Sequence, residues 1–288
     1  MQTPIFDIKS FWGKTGIFAL LSSFGLVFGS LLGLVITTLC GVSAESLEGL
    51  RILQICSQIF TFVFPPLAYA VCVRQKPIRS LGFAKTPAWG WIYILTIFTV
   101  MPVNNCLQEW NATWPLPEFM RDIQEMNEAL SEKMMNVNTF NGLIISLIMI
   151  AGLAAAGEEL LFRALIQPAM IKTCGNHHAG IIITAALFSL IHFEMFSFMP
   201  RLVLGILLGY AFYTTKSVWT PMMMHFLNNA VIVVLYFFKI KGKIDVDIDK
   251  IGASDNVIVI ALSVLCTVLL TMPLFYEKTF GHHKNELK

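Results

Sequence analysis

The chain has 288 residues, 56% of them hydrophobic and only 13% charged, with a mean hydropathy of +0.70 and a formal net charge of +2. That composition excludes a soluble globular domain of this length, which would show charged faces at helical period, and points to an all-α, polytopic transmembrane bundle. The near-neutral charge and the lack of a basic run exclude nucleic acid as a partner.

A hydrocarbon core of about 30 Å takes roughly 20 apolar residues to cross. By that measure about eight spans are expected, at residues 16–40, 52–73, 89–107, 139–160, 178–196, 200–215, 217–238 and 256–275. The first follows a polar opening segment and is too long for the core of a cleavable signal peptide. The 74–88 loop carries Arg74, Lys76, Arg79 and Lys85 with no acid, so the positive-inside rule places it in the cytoplasm together with Lys9 and Lys14. With eight spans the tail holding Lys278, Lys284 and Lys288 falls on the same side. Both termini are then cytoplasmic and the acidic 108–138 loop is outside. One loop dissents: Lys239 to Asp255 holds four lysines yet falls outside.

Within the acidic loop, Phe119, Met120, Ile123, Met126, Leu130 and Met134 recur near helical spacing, which predicts an amphipathic helix over 117–135 lying at the outer mouth of the bundle or at the lipid interface. The Asn111-Ala112-Thr113 sequon has meaning only in a secretory pathway. The six cysteines show no CxxC or metal-ligand spacing and read as small buried hydrophobes. No repeat or soluble segment stands out, so residues 1–288 read as one membrane domain. The inverted halves of many transporters are not visible, which disfavours that class.

The fourth span is where chemistry enters. Gly152, Ala154, Ala155, Ala156 and Gly157 allow a neighbouring backbone to approach closely, which predicts a central helix. Glu158 and Glu159 follow them, and ionisable groups in an apolar span are functional by default. Glu159 and Arg163 stand at i and i+4 and can pair, whereas Glu158 lies about 100° around the axis and is left to face something else. The alternative is that all three are solvated at a helix end. Against it, apolar residues continue from Leu160 to Ile166 before Lys172.

In the fifth span Phe188 precedes His192 by one turn, and in the seventh His225 and Asn229 share a face, with Asn228 a near competitor. Pro221 opens or kinks that helix. Counting about 1.5 Å per residue from the cytoplasmic ends puts Glu158, His192 and His225 roughly 21, 27 and 14 Å deep, a spread of about 13 Å that still allows one shared cavity. In such a cavity a carboxylate and a histidine can hold and deprotonate water, while a second histidine and an amide donate to an oxyanion. Ser189 is a competing nucleophile. Glu158, His192 and His225 are also a possible zinc set, although HExxH is absent.

The motifs Glu158-Glu159-Leu160-Leu161-Phe162-Arg163 (EExxxR), Phe188 to His192 (FxxxH) and His225 to Asn229 (HxxxN) resemble those of the CPBP family of CAAX proteases and bacteriocin-processing enzymes, also called the Abi family. The resemblance covers about residues 139–238. It implies a helical bundle with an intramembrane polar cavity, Glu158 and His192 as the water-activating pair, and His225 and Asn229 as oxyanion donors. Glu159, Arg163 and Phe188 are supporting, and no cofactor is required. The implied activity is endopeptidase cleavage of a peptide or protein substrate at the lipid bilayer, of CAAX type or in bacteriocin processing, with a bacterial inner membrane as the setting. The alternatives are a non-catalytic scaffold or bacteriocin self-immunity protein, and a proton-coupled transporter.

Overall fold

A backbone placed in hydrocarbon must satisfy its own hydrogen bonds, and a helix does this within one segment. The computed structural model describes residues 11–73, 77–245, 248 and 257–280, and among them all regular structure is helical. The elements are α1 (Phe11–Leu39), α2 (Leu47–Cys72), α3 (Ala88–Ala112), α4 (Glu118–Met135), α5 (Phe140–Cys174), α6 (His177–Leu190), α7 (Phe198–Thr215), α8 (Trp219–Ile240) and α9 (Val257–Phe280). Of the residues used for orientation, Lys9, Arg74, Lys76, Lys250, Lys284 and Lys288 lie outside the described residues, as do Asp247, Asp249 and Asp255.

Among the described residues six segments are long and apolar enough to cross a membrane: Gly16–Leu39, Leu47–Cys72, Ala88–Ala112, Phe140–Cys174, Met195–Thr215 and Trp219–Ile240. The other two expected spans are shorter apolar helices, α6 and the Val257–Met272 part of α9. Large apolar side chains point outward from α1 and α9, among them Leu20, Leu31, Leu262 and Leu269. This is the surface that lipid covers in a multi-pass integral membrane protein.

The helix expected over 178–196 stops at Leu190, because Phe193 adopts a left-handed φ of 54° and turns the chain. The break therefore falls before Met199-Pro200-Arg201. Pro200 sits in the first turn of α7, where an N–H is not needed. Pro221 likewise lies in the first turn of α8. Gly205 and Gly209 face inward: an added Cβ would lie 3.0 Å from the Ala185 Cβ and 2.7 Å from the Ile181 Cγ2, so this GxxxG pair packs α7 against α6.

Side-chain and backbone bonds tie the loops into two ends. At one, Val218 N donates to Gly82 O at 2.9 Å, and Thr86 Oγ1 bonds Ser217 Oγ at 3.0 Å. At the other, Lys133 Nζ donates to Glu45 O at 2.6 Å, Gln108 Nε2 to Ser197 Oγ at 3.0 Å and Met199 N to Asn111 Oδ1 at 2.8 Å. Asn111 is thus a buried tie between α3 and α7, and its side chain is inaccessible to a glycosylating enzyme. The cysteine expectation needs correction: only Cys56 is buried, while Cys40, Cys106, Cys174 and Cys266 are exposed, because they lie at helix ends or on outward faces.

Candidate active site

Two widened π-type turns, Leu147–Leu153 and Phe162–Ile166, bracket the regular stretch Ala154–Leu161 of α5 that holds both glutamates. Such turns displace side chains from the α register and are frequent at functional sites. The small residues perform the expected packing: a Cβ on Gly157 would lie 2.8 Å from the Phe62 Cβ, so α5 lies directly against α2. Neither glutamate stands at a solvated helix end. Glu159 and Arg163 are 0% exposed and Glu158 only 8%.

The ion pair expected from the i, i+4 spacing forms, with Arg163 Nε 2.7 Å from Glu159 Oε2. The other Glu159 oxygen, Oε1, lies 3.1 Å from His225 Nδ1. A carboxylate accepts, so Nδ1 carries the hydrogen and Nε2 of that ring points elsewhere. It points to Glu158: His225 Nε2 is 3.9 Å from Glu158 Oε2, and His192 Nε2 is 3.8 Å from the same oxygen. Glu158 Oε2 is buried and has no hydrogen-bond partner among the described residues.

His192 is fixed from its other nitrogen. Its Nδ1 donates to Phe188 O at 2.8 Å, which leaves Nε2 as the acceptor in the neutral ring. The Phe188 ring stands edge-on to His192 at 5.2 Å and to His225 at 5.8 Å between centroids, and the Arg163 guanidinium lies 5.2 Å from its centre. Phe188 is therefore a wedge that orients both imidazoles, with a cation–π contact holding it from behind. Ser189 is buried and donates its Oγ hydrogen to Phe198 O at 2.7 Å, so its hydroxyl serves the turn that ends α6.

Asn229, one turn beyond His225, donates from Nδ2 to Ile150 O in the first widened turn at 3.1 Å, and its Oδ1 accepts from Asn228 Nδ2 at 3.1 Å. The structure thus gathers Glu158, His192 and His225 around one point, with Asn229 farther along the wall of the same cavity. That cavity holds about 540 Å³. The expected amphipathic helix, α4, forms part of its wall: Ser131, Met134 and Met135 line the cavity, Asn127 Nδ2 donates to His192 O at 3.4 Å and Gln124 Oε1 accepts from Phe196 N at 3.0 Å.

The sequence reading missed several lining residues, notably Gln58, Asn104 and the Arg201–Glu194 ion pair. Arg201 did carry a signal, being an ionisable residue at the head of an apolar span. The amides of α2 and α3 carried none. Among the described residues no three His, Cys, Asp or Glu side chains are grouped to share a metal ion.

Residues 140–231 match the family model described as type II CAAX prenyl endopeptidase, Rce1-like. All three motifs fall inside that segment, and the match agrees with the CPBP resemblance. No curated protein and no solved structure matched the chain.

Proposed function

We propose, from the premise that residues 140–231 are an Rce1-like protease segment, that this chain is an intramembrane endopeptidase of glutamic type. The observation that carries the reading is Glu158 Oε2, a buried unpartnered carboxylate oxygen facing two imidazole nitrogens at 3.8 and 3.9 Å. These separations exceed a direct hydrogen bond and suit one bridging water.

In this reading Glu158 and His192 hold the water. As its oxygen attacks the scissile carbonyl, its proton passes to Glu158, and His192 Nε2 accepts the second hydrogen bond and fixes the direction of attack. The carbonyl oxygen becomes an oxyanion, which takes hydrogen bonds from Nε2–H of protonated His225 and from the Asn229 amide. Glu158 then returns the proton to the departing nitrogen, giving a new carboxyl and a new amine terminus. Glu159 and Arg163 keep the His225 ring oriented through Nδ1, so the Glu159–Arg163 pair positions a donor and does not touch substrate. No metal takes part in this scheme, and Ser189 is not a nucleophile.

The setting is a bacterial cell membrane with the Arg79 and Lys85 end in the cytoplasm, an orientation supported by the positive-inside count and opposed by the four lysines of the Lys239 to Asp255 loop. In that orientation the lining contributed by α4 and by the turn after α6 belongs to the non-cytoplasmic end, which supports a cavity mouth on that side. The substrate is a CAAX-type or other processed peptide.

The test is hydrolysis of a pool of quenched fluorescent peptides by the purified chain in lipid nanodiscs. Activity that resists chelators and is lost in Glu158→Gln supports the reading. Activity retained by Glu158→Gln, or abolished by chelators and restored by zinc, contradicts it.

A further inference from the structure

Besides Glu158 Oε2, the lining of the cavity carries three buried polar atoms with no hydrogen-bond partner among the described residues: Gln58 Oε1 on α2, Asn104 Oδ1 on α3 and Arg201 Nη1 on α7. None belongs to the hydrolytic set. Gln58 is 7% exposed and stands immediately before the widened turn Ile59–Val63. Arg201 uses its Nη2 on Glu194 and leaves Nη1 unpaired. Orphaned buried atoms are rare in native proteins, because each carries the full desolvation cost of its group, and three around one cavity are open to a common partner.

The chemistry of that partner follows from the atoms. Two amide oxygens require N–H or O–H donors, and a guanidinium nitrogen requires an acceptor. A lipid or isoprenoid chain offers neither. A peptide backbone offers both at regular intervals, provided it is extended, because in a helix its N–H groups are already given to carbonyls four residues back.

We propose that Gln58 and Asn104 form a substrate-positioning subsite that accepts hydrogen bonds from backbone N–H groups of an extended peptide, with Arg201 Nη1 donating to a carbonyl or carboxylate of the same strand. This rests on the hydrolytic reading above and adds the form in which substrate is bound. Backbone hydrogen bonds are blind to side-chain identity, so the subsite sets conformation and register. A helical segment must unwind before it can be held here, and unwinding is also what exposes a peptide carbonyl to the water on Glu158.

The test takes one peptide that the wild-type chain cleaves in nanodiscs and replaces each backbone N–H away from the scissile bond with N–CH₃ in turn. Losing one buried hydrogen bond corresponds to a fall in kcat/KM of about tenfold, and one or two positions are expected to show it. Gln58→Met is expected to raise KM by a similar factor of about ten with kcat nearly unchanged, and to erase the sensitivity at one of those positions. Asn104→Leu does the same at another, and stands in if Gln58→Met fails to fold. The proposal is overturned if wild type cleaves every N-methylated peptide as well as the parent, or if both variants keep the wild-type sensitivity. A wild-type chain that cleaves no peptide of the pool defeats the hydrolytic reading itself, and the subsite with it.

Discussion

Replacing Arg163 with methionine tests whether the Glu159–Arg163 pair is a buried framework or a solvated surface feature. Both side chains are 0% exposed and joined at 2.7 Å. Arg163→Met leaves Glu159 with His225 as its remaining partner, at 3.1 Å. Breaking one side of a buried pair costs about 3–5 kcal/mol, most of it the penalty for the charge left behind. At about 2–4 °C per kcal/mol, the scale for domains of roughly this size, the expected loss in Tm is on the order of 10 °C in a thermal unfolding scan in nanodiscs. The double variant Glu159→Gln, Arg163→Met removes both charges and should recover part of that loss, with a coupling of about 1–3 kcal/mol. Lys172→Met, on the exposed end of α5, is the control and should stay within about 0.5 kcal/mol of wild type. An Arg163→Met variant as stable as Lys172→Met, or a double variant whose loss is the sum of the two singles, would refute the reasoning.

Other outcomes follow from the same geometry. Asn229 Nδ2 spends one hydrogen on Ile150 O, and Asn229→Ala should lower kcat by about 10²–10³ with little change in KM, as expected if its second hydrogen is engaged by the developing oxyanion; a pure KM effect in steady-state kinetics would count against that role. Gly157→Ala places a Cβ 2.8 Å from the Phe62 Cβ and should cost about 1–3 kcal/mol in an unfolding assay. Gly152→Ala meets its nearest neighbour at 3.6 Å and should be neutral or stabilising by up to about 1 kcal/mol. For orientation, Cys40 and Cys174 are both exposed and lie at opposite ends of the bundle. In right-side-out vesicles a membrane-impermeant maleimide, read by mass spectrometry of the wild-type chain, should favour Cys40 over Cys174 several-fold relative to detergent. The reverse preference would place the cavity mouth in the cytoplasm.

Local spacing made much of the site legible. Glu159 with Arg163 and Phe188 with His192 are neighbours along the chain, and helical geometry alone brings each pair together. The contacts of Phe188 and Glu159 with His225 join separate helices, and no spacing rule reports them. The depth estimate spread the three key residues over about 13 Å because it assumed straight, parallel helices of constant rise. In the fold, widened turns flank Glu158 and α6 ends early, and both imidazole Nε2 atoms lie within 4 Å of Glu158 Oε2. Span length was legible from hydropathy, but α6 shows its limit. The apolar run continues past Leu190, and the helix ends there because of a backbone conformation that hydropathy does not encode. Gln58 and Asn104 were invisible for a different reason: an amide in a span reads as packing until its unpaired oxygen is seen on a cavity wall.

Whether Glu158 activates water to cut a peptide bond is read by comparing peptide termini in the membrane proteome of cells expressing wild type or Glu158→Gln at matched levels. New termini are expected with wild type that are absent with Glu158→Gln, although both proteins are folded and abundant. The same termini in both strains, or a phenotype of the chain that Glu158→Gln fully retains with no termini in either, would contradict that expectation and favour a non-catalytic scaffold.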